Sequence, residues 1–192
     1  MSQSGEKWEK LCICGTQCAI EVENLISPYN KRGIALERGI AVFRGVNTIN
    51  LDAKGRMAMP ARHREQLLSH CSGHLVATID TNSRCLLLYP VQEWEQIQRK
   101  IESLPSFNPT SRRVQRLLIG HATDLELDNS GRILLPQTLR EYAGLEKHVA
   151  LIGQGKKLEL WDQTNWTEQR DLWLSETDPE GELPDDLRSL SL

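Results

Sequence analysis

No apolar run in the 192-residue chain is long enough to span a bilayer, which takes about 20 consecutive apolar residues. The N-terminus lacks the basic stretch followed by an apolar stretch that marks a secretory signal. A soluble cytoplasmic protein is therefore expected, and disulfides are rare in that compartment. Signatures of catalysis are also scarce. No Gly-rich phosphate loop, metal-ligand pair or Ser-His-Asp constellation stands out. Cys71 lies near His70 and His74 at a helix end in what reads as a polar loop, with the histidines as surface residues. Cys12, Cys14 and Cys18 suggest zinc by their spacing, but no fourth ligand accompanies them, the first histidine being His63. No metal, cofactor or small-molecule substrate is expected, and the chain reads as a binding protein rather than an enzyme.

An excess of positive charge is missing as well. The formal net charge is −3, which taken alone argues against nucleic acid. The distribution argues the other way. Residues 171–192 are strongly acidic and read as a solvated tail from Glu176 on, whereas 42–170 carry a net +3. Within 43–64 stand Arg44, Lys54, Arg56, Arg62 and Arg64 against one acid, Asp52. That is a local basic patch on an acidic chain.

What the chain does have is an internal repeat. Residues 51–60 read Leu-Asp-Ala-Lys-Gly-Arg-Met-Ala-Met-Pro, and 127–136 read Leu-Asp-Asn-Ser-Gly-Arg-Ile-Leu-Leu-Pro, 76 positions later. A repeat of this kind implies two similar units in tandem. In each, a strand (43–51; 122–127) leads into a turn. The Asp closes an Asx-type turn onto the backbone and the Gly takes a positive φ. A short strand follows (57–59; 132–135), then a proline suited to a first helical turn. The helices are expected at roughly 60–69 and 137–143, with Gly144 as the second one's stop.

The repeat continues at a spacing of 72. Leu86-x-Leu88-Tyr89 with Trp94 corresponds to Leu158-x-Leu160-Trp161 with Trp166. The drop from 76 to 72 predicts a four-residue shortening of the second unit between its first helix and second hairpin. Strands over 75–79 and 85–89 form the first unit's hairpin. A helix over 91–104 aligns Trp94, Ile97, Ile101 and Leu104 on one face. Asn108-Pro109 starts a helix to about 120, with Arg112, Arg113 and Arg116 on a solvated or inter-subunit face. A last helix, 163–175, is capped by Asp162 or Thr164.

Phe43-Arg44-Gly45, the two Asp-x-x-x-Arg turns, Arg113 to Ala122 and Leu158-Glu159-Leu160-Trp161 together resemble the MraZ family of bacterial transcriptional regulators. The resemblance covers about 43–192. It implies an α+β fold of two tandem AbrB-like (SpoVT-like) units of the swapped-hairpin, double-ψ-barrel kind, 42–106 and 107–175, with short flanking helices. It also implies a ring of eight or more subunits on tandem direct repeats with a G-rich core. The promoter would be that of the division and cell-wall cluster containing the chain's own gene, repressed from the nucleoid. In that reading Arg56 and Arg132 take guanines, Lys54 takes a phosphate, and Asp52 and Asp128 orient the turns. Arg44, Arg62 and Arg64 are further phosphate contacts. Ser130 replaces Lys54 in the second copy and its surroundings look less basic, so the first turn is expected to dominate. A structural or protein-binding ring, or an antitoxin-like partner of the same fold, is the alternative.

Residues 1–41 show no sustained helix or strand period and lie outside the resemblance. The family begins Met-Phe-Arg-Gly where this chain has Val42-Phe43-Arg44-Gly45. The codons of Glu37-Arg38-Gly39 can spell a ribosome-binding site, so translation is expected to start at position 42, with 1–41 as leader sequence. An intact mass starting at Met1 would refute this.

Overall fold

The computed structural model describes residues 41–175. The expected leader, its three cysteines and the acidic tail lie outside the described residues. In order, the elements are β1 (Phe43–Asn50), β2 (Arg56–Ala58), α1 (Ala61–Cys71), β3 (His74–Ile79), β4 (Leu86–Pro90), α2 (Val91–Glu102), α3 (Pro109–Val114), a π-helical turn (Gln115–Ile119), β5 (Thr123–Glu126), β6 (Arg132–Leu134), α4 (Gln137–Ala143), β7 (His148–Gly155), β8 (Lys157–Asp162) and α5 (Gln163–Ser175). No helix among them is long and apolar enough to cross a membrane.

The two halves are tandem in sequence but interleaved in space, within one compact unit. The larger sheet has the order β1-β7-β8-β4-β3-β5, and β2 and β6 form a separate two-stranded ribbon. Each half's first strand therefore pairs with a strand of the other half's hairpin, β1 with β7 and β5 with β3. The registers show a pseudo-twofold relation. Met57 faces Ile133, its own repeat equivalent, and Leu87 faces Glu159, likewise. Strand alternation then divides the ribbon. Met57 and Ile133 are fully buried, while Arg56, Ala58, Arg132 and Leu134 turn outward.

Under the ribbon lies one continuous apolar cluster drawn from both halves, including Phe43, Leu67, Leu75, Leu86, Leu139, Leu151 and Leu160. A second cluster on the sheet's other face gathers Cys85, Leu87, Ala150, Ile152 and Trp161. Trp166 and Trp173 of α5 pack on Trp161, with ring centroids 5.8 and 6.1 Å away. Asp162 is the α5 cap, its Oδ1 accepting from the amides of Thr164 and Asn165.

Four expectations change. The four-residue shortening falls inside the helix, not after it: α1 has 11 residues and α4 has 7. Both end on a left-handed residue, Ser72 and Gly144, 72 apart. Four residues are close to one helical turn, so the helix shortens while keeping nearly the same face toward the core. Helix α2 ends at Glu102, leaving Leu104 outside it and 38% exposed. The expected helix over 109–120 widens into a π turn after Val114, where the Leu118 carbonyl accepts from the hydroxyl of buried Thr78 at 2.6 Å. Finally, Cys71 sits in the core rather than a polar loop. Its thiol donates to the Leu67 carbonyl at 3.1 Å, and burial raises its pKa, so it is held as an unreactive thiol.

Candidate nucleic-acid interface

Both Asp-x-x-x-Arg turns are built by the same bonds. In the first, Asp52 Oδ1 accepts from the amides of Lys54 and Arg56, each at 2.9 Å. Asp52 Oδ2 accepts from Arg56 Nε at 2.8 Å. The backbone closes behind it, the Gly55 amide donating to the Asp52 carbonyl and the Asp52 amide to the Arg56 carbonyl. In the second, Asp128 Oδ1 accepts from the amides of Ser130 and Arg132 at 2.8 and 2.9 Å, and Oδ2 accepts from Arg132 Nε at 2.9 Å. Short polar side chains commonly close turns onto amides two residues ahead. Here the same carboxylate also fixes a guanidinium.

That double duty sets the electrostatics. The amide and side chain of Arg56 bring the Asp52 pKa down to about 2. The Arg132 amide, with its side chain, likewise lowers that of Asp128. Both carboxylates are ionised at neutral pH, which suits orienting a cation and not donating a proton. An exposed ion pair of this kind adds little to stability. The use of the pair lies in positioning. With Nε of Arg56 held by Asp52, its terminal nitrogens remain as donors, whereas in the second turn Arg132 Nη2 also lies 2.9 Å from Asp128 Oδ2. The arginine side chains are 34% and 36% exposed, so neither turn is the more hidden.

The ribbon brings the turns together. Arg56 pairs with Leu134 and Ala58 with Arg132. Arg56 and Arg132 are thus diagonal neighbours on one face, roughly 7–8 Å apart at the backbone. The turns project from opposite ends of this short ribbon, Lys54 exposed on the first and Ser130 on the second. Of the other basic residues, Arg62 is exposed in the first turn of α1. Arg44 is exposed at the far end of β1, seven residues before Leu51, or roughly 24 Å along the strand. The structure therefore groups Lys54, Arg56 and Arg132 and leaves Arg44 apart.

Arg64 lies somewhere the sequence does not suggest. A Cβ on Gly131 would collide with Arg64 Cδ and come within 2.7 Å of its Nη1. A Cβ on Gly55 would lie 2.6 Å from Arg140 Nε and 2.8 Å from its Cζ. Each turn thus carries an arginine from the other repeat's helix. The exchange is one for one, so Lys54 on the first turn against Ser130 on the second remains the difference in charge between them. Sequence reasoning does not single out Arg140. The signal that could have found it is the repeat itself, since Arg64 and Arg140 both stand four residues after their prolines.

Known proteins carry the same tandem repeat in sequence. The family model described as "MraZ protein, putative antitoxin-like" matches twice, at residues 42–117 and 118–181. A protein of Halorhodospira halophila named transcriptional regulator MraZ is 59% identical over 152 residues, 79% of this chain and all of that relative. One of the same name from Coxiella burnetii is 60% identical with the same coverage. Another, from Pseudomonas putida, is 52% identical over 151 residues, again 79% of this chain and the whole relative. Two matched repeats and this degree of identity establish that the chain belongs to the MraZ family.

Proposed function

We propose that this chain is a sequence-specific DNA-binding transcriptional regulator whose interface is the outer face of the β2–β6 ribbon with its two turns. One observation carries the reading: both oriented arginines, from different repeats, stand on the same exposed face of a two-stranded ribbon whose opposite face is fully buried. A two-stranded ribbon fits the major groove of B-DNA, about 12 Å wide, where an arginine fork pairs with guanine O6 and N7. Lys54 stands on the same turn as a phosphate contact, with Arg62 near the ribbon as another. Asp52 and Asp128 keep the forks oriented, which reduces the entropy lost on binding.

Two arginines per chain give too few contacts for a tight specific site. The reading therefore includes a homo-oligomeric ring of eight or more subunits, raising effective concentration on tandem direct repeats with a G-rich core. The target is the promoter of the division and cell-wall cluster that includes its own gene, repressed from the nucleoid in the cytoplasm. The relatives' names and the family's double match support regulation. A ring that presents the same ribbon face from successive subunits supports tandem direct repeats.

The test is a gel shift on the DNA upstream of the chain's own gene, wild type beside Arg56→Ala, at two salt concentrations. Wild type should shift that DNA and spare a scrambled control. The variant should fail to shift it while keeping the wild-type oligomer mass. If neither protein shifts the DNA, the reading passes to a ring that binds other proteins.

A further inference from the structure

We infer that each DNA-facing turn is positioned by an arginine of the opposite repeat, Arg140 holding the Asp52–Arg56 turn and Arg64 holding the Asp128–Arg132 turn. The inference rests on the DNA-binding reading for its consequence, and on packing for its substance. Gly55 and Gly131 have φ of +79° and +70° and are buried, although the residues before them are exposed. What buries them is a side chain. Arg140 lies against Gly55 and Arg64 against Gly131, closely enough that even one methyl group would be displaced or would displace them. Glycine is thus required twice over, for its backbone conformation and for the space the arginine fills.

The contact is tied into the ribbon. The Leu135 amide donates to the Gly55 carbonyl, and the Met59 amide to the Gly131 carbonyl, both at 2.9 Å. Arg140 Nε donates to the Leu135 carbonyl at 3.2 Å. Arg140 therefore bonds to the residue whose own amide holds the Gly55 carbonyl. Neither Arg64 nor Arg140 forms a salt bridge among the described residues. Each therefore stands beside a turn with no carboxylate partner among the described residues, and its bulk restricts that turn. The Asp–Arg pair alone, exposed to water, is a weak restraint. An arginine side chain lying against the turn glycine supplies the missing stiffness, and it arrives from the other repeat because the strands are interleaved. The two turns are consequently coupled crosswise. A substitution in the second repeat loosens the first turn, and the converse holds.

Two measurements on the full chain test this. Amide hydrogen exchange is read on the free protein. Arg140→Ala should speed exchange at Lys54 and Arg56, whose amides bond to Asp52, and leave Ser130 and Arg132 unchanged. Arg64→Ala should do the reverse. Arg140→Lys keeps the charge but not the plane, and should behave as the alanine variant does. Acceleration confined to the variant's own repeat, spread equally over both turns, or reversed by lysine would overturn the inference.

The second measurement is a set of double-mutant cycles on the DNA that wild type shifts. Arg140→Ala should weaken binding about threefold to tenfold alone, do little more in an Arg56→Lys background, which keeps measurable affinity, and multiply with Arg132→Lys. Arg64→Ala should show the mirror pattern. Coupling within a repeat, or none, would overturn the crossed assignment. Because exchange needs no DNA, an Arg56→Ala protein with unchanged binding would count against the DNA reading and leave the crossed brace to the exchange data.

Discussion

The two turns differ at half of the positions from their Leu to their Pro, yet in both the Asp accepts from the same two backbone amides and from the arginine Nε. The residues that agree between them include every one the turn geometry demands. They are the Asp that accepts, the Gly with positive φ, the Arg that is held, and the Pro that begins a helix. Where the copies differ inside, as at Met57 and Ile133, one apolar residue replaces another. Where they differ in kind, as at Ala53 against Asn129 and Lys54 against Ser130, the side chains point to solvent. The two copies share the residues that orient an arginine and differ in the chemistry they turn outward. Leu134, 56% exposed beside Arg56, is the clearest divergence on the ribbon's outer face.

Several experiments break or sharpen this comparison. The largest effect is expected from removing the forks. Arg56→Ala should abolish specific binding, because a loss of about 1–3 kcal/mol per guanine pairing recurs in every bound subunit. Arg132→Ala, measured in the same titration, reports how evenly the two turns share the work, and equal losses would remove the expected dominance of the first.

A second test addresses the folded scaffold. Gly55→Ala and Gly131→Ala should each cost about 1–3 kcal/mol from the left-handed backbone and the arginine collision, lowering the melting temperature by several degrees. If one is tolerated and the other is not, the two braces are unequal.

A smaller effect is expected from exchanging the exposed residues. Lys54→Ser should reduce the slope of log affinity against log salt by about 0.9 for each phosphate no longer neutralised, and Ser130→Lys should raise it similarly. A slope unchanged by both would show that these positions do not touch the backbone of DNA.

The smallest effect concerns pH. The folded Asp52 pKa lies below its ordinary 3.8, so any stability it adds is present above that value and lost as pH falls through about 2. The turns should therefore add no pH dependence between about 5 and 8. Burial lowers the His63 pKa beneath 6.5, so its share of stability is present above 6.5 and lost as the pH falls through its folded value. Melting temperatures should decline from pH 7 to 5, and His63→Gln should flatten that decline while Asp52→Asn leaves it unchanged.

Much of the fold was legible because it rests on local rules. The Asx turns, the Asn108 cap with Pro109, the Asp162 cap and the Gly144 stop each depend on a few neighbouring residues. So do the bounds of α5 and the buried and exposed sides of the ribbon, which follow from strand alternation. The π turn after Val114 was not legible, since a distant partner, Thr78, takes up one of its carbonyls. Leu104 carries the right helical spacing but lies past the end of α2, and periodicity alone does not fix where a helix stops.

The sequence by itself determined that there are two copies of one arginine-orienting turn, because repeat spacing and turn chemistry are written along the chain. Only the tertiary structure decided that the copies share one ribbon face and exchange their supporting arginines. Strand pairing between distant segments brings Met57 against Ile133 and Arg64 against Gly131. Such pairings are chosen by how both halves bury one common core, a property of the whole chain that no local pattern encodes.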